Sequence, residues 1–285
     1  AAQTEEQVYA KLGMPWIPPE IREDRGEIEA ALAGKLPRLI EQTDIKGDLH
    51  THTTASDGIG SIEEMAEAAK ALGYKYLAIT DHSQSQVIAN GLDPRRLMEH
   101  VEAIRKANDR IKGIALLAGA EVDILSDGEL DYDDKVLAEL DFVVASPHFA
   151  LKQAPAKATD RILRAIEHRY VNLIGHPTGR LINGREGLPL DMPRIYEAAA
   201  RTQTALEINA GYPRLDLNEH HARAAVLAGC TLAIDTDAHA PQELGNLGLG
   251  ISTARRGWVT AGPVLNCRSL SEIQKFLAAT REAAR

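Results

Sequence analysis

Six histidines lie at or just beyond the carboxyl end of a segment that has the apolar composition of a β-strand. They are His50, His52, His82, His148, His176 and His239. Two acidic residues, Glu121 and Asp237, occupy the same kind of position, and Asp57 follows in a polar turn. Imidazole and carboxylate groups without a thiolate suit Zn, Mn or Fe ions. These nine residues are therefore candidate metal ligands.

The spacing of these residues supports the same chemistry. His50 and His52 are separated by one residue, and so are Asp237 and His239. Because alternate residues of a strand point to the same side, each pair can direct two ligating atoms at one ion. A single histidine at a strand end is more often structural, but six histidines at such positions, together with three carboxylates, favour metal binding. They exceed the needs of one tetrahedral ion and suit two or three divalent ions that leave positions open for water.

Seven apolar segments alternate with helical patterns and predict the elements that position these ligands. The strand segments are 45–49, 75–80, 114–122, 141–146, 171–175, 204–209 and 231–235. Capped helical patterns cover 61–72 and 93–110, and weaker patterns lie near 133–139, 156–168, 191–201, 219–228 and 270–280. Such alternation predicts parallel strands joined by right-handed crossovers.

A closed, TIM-like α/β barrel of seven parallel strands fits the length, and an open doubly wound sheet is the alternative. We place the barrel at residues 45–285 and expect residues 1–44, which include three prolines in a short span, to form a linker with a short helix from residue 27 to about 33. In a parallel barrel the carboxyl ends of the strands converge on one face. The nine candidate ligands would then share one pocket.

Composition limits the class of protein. The net charge of -9 argues against nucleic-acid binding through an overall basic surface. No segment approaches the roughly 20 apolar residues of a membrane span, so we expect no membrane partner. Two cysteines, Cys230 and Cys267, cannot form a disulfide framework and indicate a cytoplasmic protein. Because the first residue is Ala, we expect a processed or excised piece of a longer chain.

Several other polar residues are expected to support the fold rather than to bind metal. Asp81 and Asp235 precede candidate ligands, and we expect them to orient those ligands or to cap backbone groups. The remaining histidines lie on helical patterns and are expected to be exposed or to lie outside the ligand layer: His100, His168, His220 and His221. Five aspartates after Glu121 are expected to form a solvated loop: Asp123, Asp127, Asp131, Asp133 and Asp134.

The order of the motifs resembles that of the PHP (polymerase and histidinol phosphatase) family. HTH with SDG, TDHS, the third-strand Glu121, PH, GHP and DTDAH follow one another between residues 48 and 239. The resemblance implies a distorted seven-stranded barrel that holds a trinuclear metal centre. LGMPWIPPEIREDRGEIEAA and GHPTGRLINGREG are similar to the PHP domain at the C-terminus of bacterial family X DNA polymerases. This second resemblance implies a covalently linked polymerase domain in the full-length protein, whereas this sequence shows no polymerase half.

The resemblance also implies how the ligands are divided. His50, His52, Glu121 and Asp237 would hold one ion, and Glu121 would bridge it to a second ion bound by His148 and His176. A third ion would take Asp57, His82 and His239, with Asp81 as the alternative to Asp57. A metal-bridging hydroxide held by Glu121, His148 and His176 would be the nucleophile. Three cations are candidate phosphate contacts, with a solvated loop as the alternative for the arginines: Arg180, Arg185 and Lys152.

The leading functional prediction is a metal-dependent phosphoesterase that acts on DNA 3' ends. A 3'-5' exonuclease fits best, and 3'-phosphatase or AP-endonuclease activity belongs to the same prediction. The first alternative is a small-molecule phosphomonoesterase of the histidinol-phosphatase type. The second is a non-catalytic structural module of a DNA polymerase, although none of the nine ligands is lost.

Overall fold

The computed structural model describes residues 2–283, which contain seven parallel strands in the order of the sequence. The sheet curves into a nearly closed barrel, which confirms the predicted fold class. Its strands are β1 (Gly47–Asp48), β2 (Tyr76–Ile79), β3 (Ala115–Asp123), β4 (Phe142–Ser146), β5 (Leu173–Ile174), β6 (Ala205–Asn209) and β7 (Leu232–Asp235). Six of the seven predicted strand segments contain one of these strands, and the segment 114–122 ends one residue before β3 does.

Helices precede, connect and follow these strands. They are α1 (Glu5–Lys11), α2 (Glu27–Leu32), α3 (Ile62–Ala71), α4 (Pro94–Arg110), α5 (Asp134–Leu137), α6 (Pro155–Ile166), α7 (Met192–Thr202), α8 (Glu219–Leu227), α9 (Leu247–Arg256) and α10 (Leu270–Ala283). Among the described helices, none is long and apolar enough to cross a membrane.

Helix α9 was not predicted, because its sequence LGLGISTARR contains two glycines that disfavour an isolated helix. The structure explains one of them. A Cβ atom on Gly250 would lie 2.7 Å from Ile234 Cγ2 and 2.9 Å from Ala210 Cβ. Gly250 therefore lets α9 pack closely against the barrel, and tertiary packing outweighs the low local propensity.

Side chains alternate between the two faces of the sheet, so the strands separate two apolar layers. Tyr76 and Ala78 of β2 point into the barrel interior, whereas Leu77 and Ile79 pack under the outer helices. The interior is closed at the amino end by α10, whose Ile273 and Phe276 join the same cluster. The apolar interior leaves the carboxyl ends of the strands as the polar face of the barrel.

The seam between β1 and β7 is joined largely by side chains, because these strands are the two edges of the sheet. Asp48 accepts a hydrogen bond from Thr236 Oγ1 (2.7 Å), and Asp235 accepts one from Leu49 N (2.8 Å). Asn266 accepts from Ile234 N (2.7 Å) and donates to the carbonyl of Gly47 (3.1 Å). Asp235 therefore caps a backbone amide, which is one of the two roles considered for it.

The segment before the barrel packs on α9. Ile17 and Ile21 form a small buried cluster with Ala31 and Leu39, and Trp258 packs against it. Arg255 donates to Glu20 (2.7 Å) and to the backbone carbonyl of residue 40 (2.9 Å). These contacts tie the amino-terminal residues to the last third of the chain.

Candidate metal centre

The barrel brings the nine candidate ligands to the carboxyl ends of the strands. His50 and His52 follow β1, His82 follows β2, and Glu121 lies within β3. The other five follow β1, β4, β5 and β7: Asp57, His148, His176, Asp237 and His239. Most of the set is buried; His50, His52 and His176 are 0% exposed and Glu121 is 1% exposed, whereas Asp57 is on the surface.

One group of four ligating atoms contains His50, His52, Glu121 and Asp237, all within 4.8 Å of one another. His50 Nε2 lies 3.3 Å from Glu121 Oε1, and His52 Nε2 lies 3.0 Å from Asp237 Oδ1. This group contains the same residues as the first ion site implied by the family resemblance.

Two further groups share residues with the first. His52, Asp57, His82 and His239 form one of them, and His82, Glu121 and His148 form the other. His176 Nε2 also reaches Glu121 Oε1 at 2.9 Å. Glu121 thus belongs to two of the three groups, and His82 belongs to two as well, whereas the family-based division gives His82 to one ion.

Unpartnered polar atoms provide the test of whether these residues fit metal ions. Within the described residues, His50 Nε2, both ring nitrogens of His52, Glu121 Oε2 and Asp237 Oδ1 are buried without a hydrogen-bond partner. His52 Nε2 and Asp237 Oδ1 are close but are not aligned as a hydrogen bond. Leaving such groups unpaired is costly, and a cation between them would satisfy both. The donor set therefore fits divalent ions.

Two buried carboxylates fix the orientation of the imidazoles from outside the cluster. Glu207 Oε1 lies 2.7 Å from His50 Nδ1, and Asp123 Oδ1 lies 2.5 Å from His148 Nδ1. Each contact leaves Nε2 facing the cluster, an arrangement common around metal-ligating histidines. The prediction of a solvated loop was wrong for Asp123, which is 0% exposed. Its spacing of two from Glu121 on β3 was the available signal, whereas nothing in TALEIN marked Glu207.

Asp81 holds the turn that carries Asp57. It accepts hydrogen bonds from Thr53 N (2.9 Å), Ser56 Oγ (2.6 Å) and His100 Nε2 (2.8 Å). Asp81 thus caps backbone groups of the turn, which is one of the two roles expected for it. His100 is buried behind it and lies outside the ligand groups.

Burial and neighbouring charges have opposite effects on the pKa values of the carboxyl groups in the cluster. Burial opposes ionisation of Glu121 and Asp237, but neighbouring imidazoles outweigh it and hold the pKa of both carboxyls well below the usual value. Burial lowers the pKa of His52 to about 4 and, with the charge of Arg214, that of His176 to about 3. Ionised carboxylates and neutral imidazoles are the forms that bind metals, and the directions of these four pKa shifts favour them.

Backbone constraints accompany the site. His176 and Asp237 have φ angles of 27° and 53°, in the left-handed region that is unfavourable for residues with a Cβ. Such conformations persist where the surrounding structure imposes them and are concentrated at functional sites. Beside His176, a Cβ atom on Gly175 would lie 2.4 Å from Ser146 Oγ. Close strand packing thus requires glycine next to this candidate ligand.

The predicted phosphate contacts are not brought to the cluster. Arg180 donates to the backbone carbonyls of residues 214 and 215, and Arg185 donates to the carbonyl of Gly179. Lys152 is exposed in the loop after His148. Sequence reasoning missed Arg214, whose Nε lies 3.5 Å from Asp237 Oδ2. No motif marked it, because its position depends on how the loop after β6 folds.

Two cavities open beside the cluster and share Arg214, Asp237 and His239 in their walls. One has a volume of about 300 Å³ and the other about 320 Å³. Asp57, His82 and His148 also line the second cavity. The cluster is therefore accessible to a ligand from two sides, with a guanidinium at the boundary.

Comparison with known proteins now identifies the family. A family model described as the PHP domain matches residues 48–220, and the chain belongs to this family. The chain is 46% identical to the DNA polymerase/3'-5' exonuclease PolX of Bacillus subtilis (strain 168) over 274 residues, 96% of this chain. The match spans 48% of that relative, so the chain corresponds to about half of it.

Two further similar proteins align with this chain over most of the length of both chains. A probable phosphatase of Thermoanaerobacter sp. (strain X514) is 28% identical over 81% of this chain and 93% of its own length. The crystal structure of histidinol phosphate phosphatase from Lactococcus lactis, complexed with zinc, L-histidinol and phosphate, superposes with a TM-score of 0.50 at 17% identity. It covers 73% of this chain and 93% of that chain, and supports the shared fold.

Proposed function

We propose that the chain is a metal-dependent phosphoesterase that shortens DNA from its 3' end as a 3'-5' exonuclease. The observation that carries this proposal is the cluster of imidazole and carboxylate groups whose ligating atoms lie within 4.8 Å of one another in each group, and several of these atoms are buried without a hydrogen-bond partner. DNA is favoured as substrate by the 46% identity to the Bacillus subtilis protein. The same similarity supports a covalently linked polymerase domain in the full-length protein.

We propose that two or three divalent ions, Zn, Mn or Fe, bind in the cluster. The residues that would hold them are His50, His52, Asp57, His82, Glu121, His148, His176, Asp237 and His239. Bound divalent ions polarise phosphoryl oxygens and activate water at neutral pH. Glu121 is central to this assignment, because it lies near His50, His82, His148 and His176.

The residues of the chain itself prepare the site for a phosphate ester. Glu207 and Asp123 hold the rings of His50 and His148 with Nε2 directed inward. Three ligand carboxylates cannot neutralise three divalent ions, so the loaded pocket is cationic within an acidic chain and attracts phosphate. Arg214 adds a guanidinium at the mouth. We also propose that residues 1–44 form a leader and that residues 45–285 form the phosphoesterase barrel.

A comparison of two substrates, each assayed separately, tests the proposed function. The purified chain, supplied with Mn²⁺ or Zn²⁺, is incubated with a duplex that has a recessed 3' end and separately with histidinol phosphate. We expect release of nucleotides from the duplex and no phosphate from the metabolite, with elemental analysis reporting the bound ions.

The opposite pattern would favour a small-molecule phosphomonoesterase. Hydrolysis of neither substrate by ion-loaded protein would favour a structural module. A 3'-phosphorylated duplex and a duplex with an internal abasic site extend the comparison to 3'-phosphatase and AP-endonuclease activity. Without stepwise shortening, release of phosphate would indicate a 3'-phosphatase, and internal cleavage would indicate an AP-endonuclease.

A further inference from the structure

The cavity of about 300 Å³ beside the cluster has an amphipathic wall that the proposed reaction leaves without a role. Its lining includes Tyr212, Leu181 and Pro213, which offer apolar surface, and the charged residues Arg214 and Glu243. The second cavity lies across Arg214 and carries Ile88, which is fully exposed. A phosphate at Arg214 would therefore have one cavity on each side.

Hydrogen bonds anchor the backbone around Arg214 at this boundary. Its side chain is 24% exposed, and the backbone carbonyls of residues 214 and 215 both accept hydrogen bonds from Arg180. Asp216 anchors the same loop by accepting from the amides of residues 178 and 179, each at 2.9 Å. Arg180 thus acts as a positioning residue for Arg214, whose planar guanidinium suits bidentate contact with a phosphate.

Tyr212 presents an aromatic ring at the mouth of the cavity. It is 69% exposed, so its ring is accessible from solvent. Leu181 and Pro213 continue the apolar surface beside it. A nucleobase can stack on such a ring irrespective of its sequence identity. The ring and the guanidinium line the same cavity, and they are the kinds of group that bind the base and the phosphate of a nucleotide.

Glu243 adds a negative charge to the wall of the same cavity. Its carboxylate lines the cavity and accepts a hydrogen bond from His239 N (2.7 Å). An internal nucleotide would bring a second phosphate toward this negative charge and be repelled. A terminal nucleoside carries a free 3' hydroxyl, which can donate to a carboxylate.

We propose that this cavity receives the 3'-terminal nucleoside of a DNA strand, with Tyr212 stacked on its base, Arg214 on the phosphate that links it to the strand, and Glu243 facing its 3' hydroxyl. This inference rests on the proposed function and names the part of the substrate that each wall contacts. The remaining strand leaves across the cavity that carries Ile88.

Duplexes that differ only in the terminal unit test the stacking. One ends in an ordinary nucleotide and the other in a tetrahydrofuran abasic unit with a free 3' hydroxyl. For the unaltered chain we expect kcat/KM to be about tenfold higher with the base, since stacking on one aromatic residue is of that order. Tyr212→Ala removes this preference through KM, whereas the matched variant Tyr212→Phe retains it.

A binding measurement makes the test independent of turnover. An oligonucleotide with 2-aminopurine as its 3'-terminal base is titrated with each variant, and stacking on residue 212 quenches its fluorescence. We expect quenching with the unaltered chain and with Tyr212→Phe, and none with Tyr212→Ala. Glu243→Gln keeps an acceptor for His239 N but removes the charge, so we expect it to raise the relative affinity for a 3'-phosphorylated end.

The outcomes separate the subsite from the reaction. Equal rates on base and abasic ends, or a preference that survives Tyr212→Ala, would overturn the subsite while leaving the exonuclease intact. If ion-loaded protein releases no nucleotide from any DNA, the proposed function fails, and the fluorescence titration alone then decides the subsite. Quenching that does not depend on residue 212 would overturn it.

Discussion

The two ends of the barrel solve the problem of burial in opposite ways. At the amino end, Ile273 and Phe276 of α10 fill the interior, and the Tyr76 hydroxyl donates to the carbonyl of Asn266 at 3.1 Å. At the carboxyl end, His50 Nε2 and Asp237 Oδ1 are buried without partners in the described structure. Side chains of the protein fill the amino end, whereas the polar atoms at the carboxyl end need a bound ion as their partner.

This difference separates stability from chemistry within one barrel. Apolar burial at the amino end is favourable without any ligand. The unpartnered atoms at the carboxyl end cost free energy until a cation satisfies them. We therefore expect substitutions at the amino end to change the free energy of unfolding, and substitutions at the carboxyl end to change ion binding and turnover.

The largest expected effect is the loss of hydrolysis in His176→Ala. Removing a ligand beside Glu121 should lower kcat about 1,000-fold or more, because ion-based stabilisation of the transition state amounts to several kcal/mol. Initial rates on a recessed 3' end measure the change, and circular dichroism reports whether the fold persists. His220→Ala, an exposed histidine paired with Glu219 at 3.6 Å, is the matched control. Full activity in His176→Ala would remove His176 from the site.

The amino end predicts the reverse pattern in Phe276→Ala. Phe276 is 4% exposed in the barrel interior, so its truncation should lower the free energy of unfolding by about 3 to 5 kcal/mol. Urea titration of the ion-loaded protein measures this change. The rate per folded molecule should stay the same, because α10 lies at the end opposite the cluster. A fall in kcat comparable to that of His176→Ala would show that the two ends are coupled.

The smallest effect sharpens the comparison within the carboxyl end. Glu207→Gln removes the charge behind His50 and should weaken ion affinity about 10- to 100-fold, as expected for a group that orients a ligand. Competition with a chromophoric chelator measures the affinity. Asp134→Asn is the control, since Asp134 pairs with His168 at 3.2 Å outside the cluster. Equal affinity in both variants would mean that Glu207 does not orient His50 for an ion.

Local sequence patterns determined much of the architecture. Apolar segments of strand length and capped helical repeats are local signals, and each predicted strand segment overlaps a strand. The nine candidate ligands could be named because each is a metal-binding residue type at or near the end of such a segment. Parallel strands in a barrel bring their carboxyl ends together, so chain order alone predicted that these residues would meet.

Tertiary structure decided which groups support and complete the site. Glu207 reaches His50 across 157 positions, and Arg214 rather than Arg180 or Arg185 lies at the mouth of the pocket. Helix α9 forms despite its glycines because Gly250 fits against the barrel. Local periodicity carries no information about such contacts. They arise when the sheet closes and brings together side chains whose positions no short segment specifies.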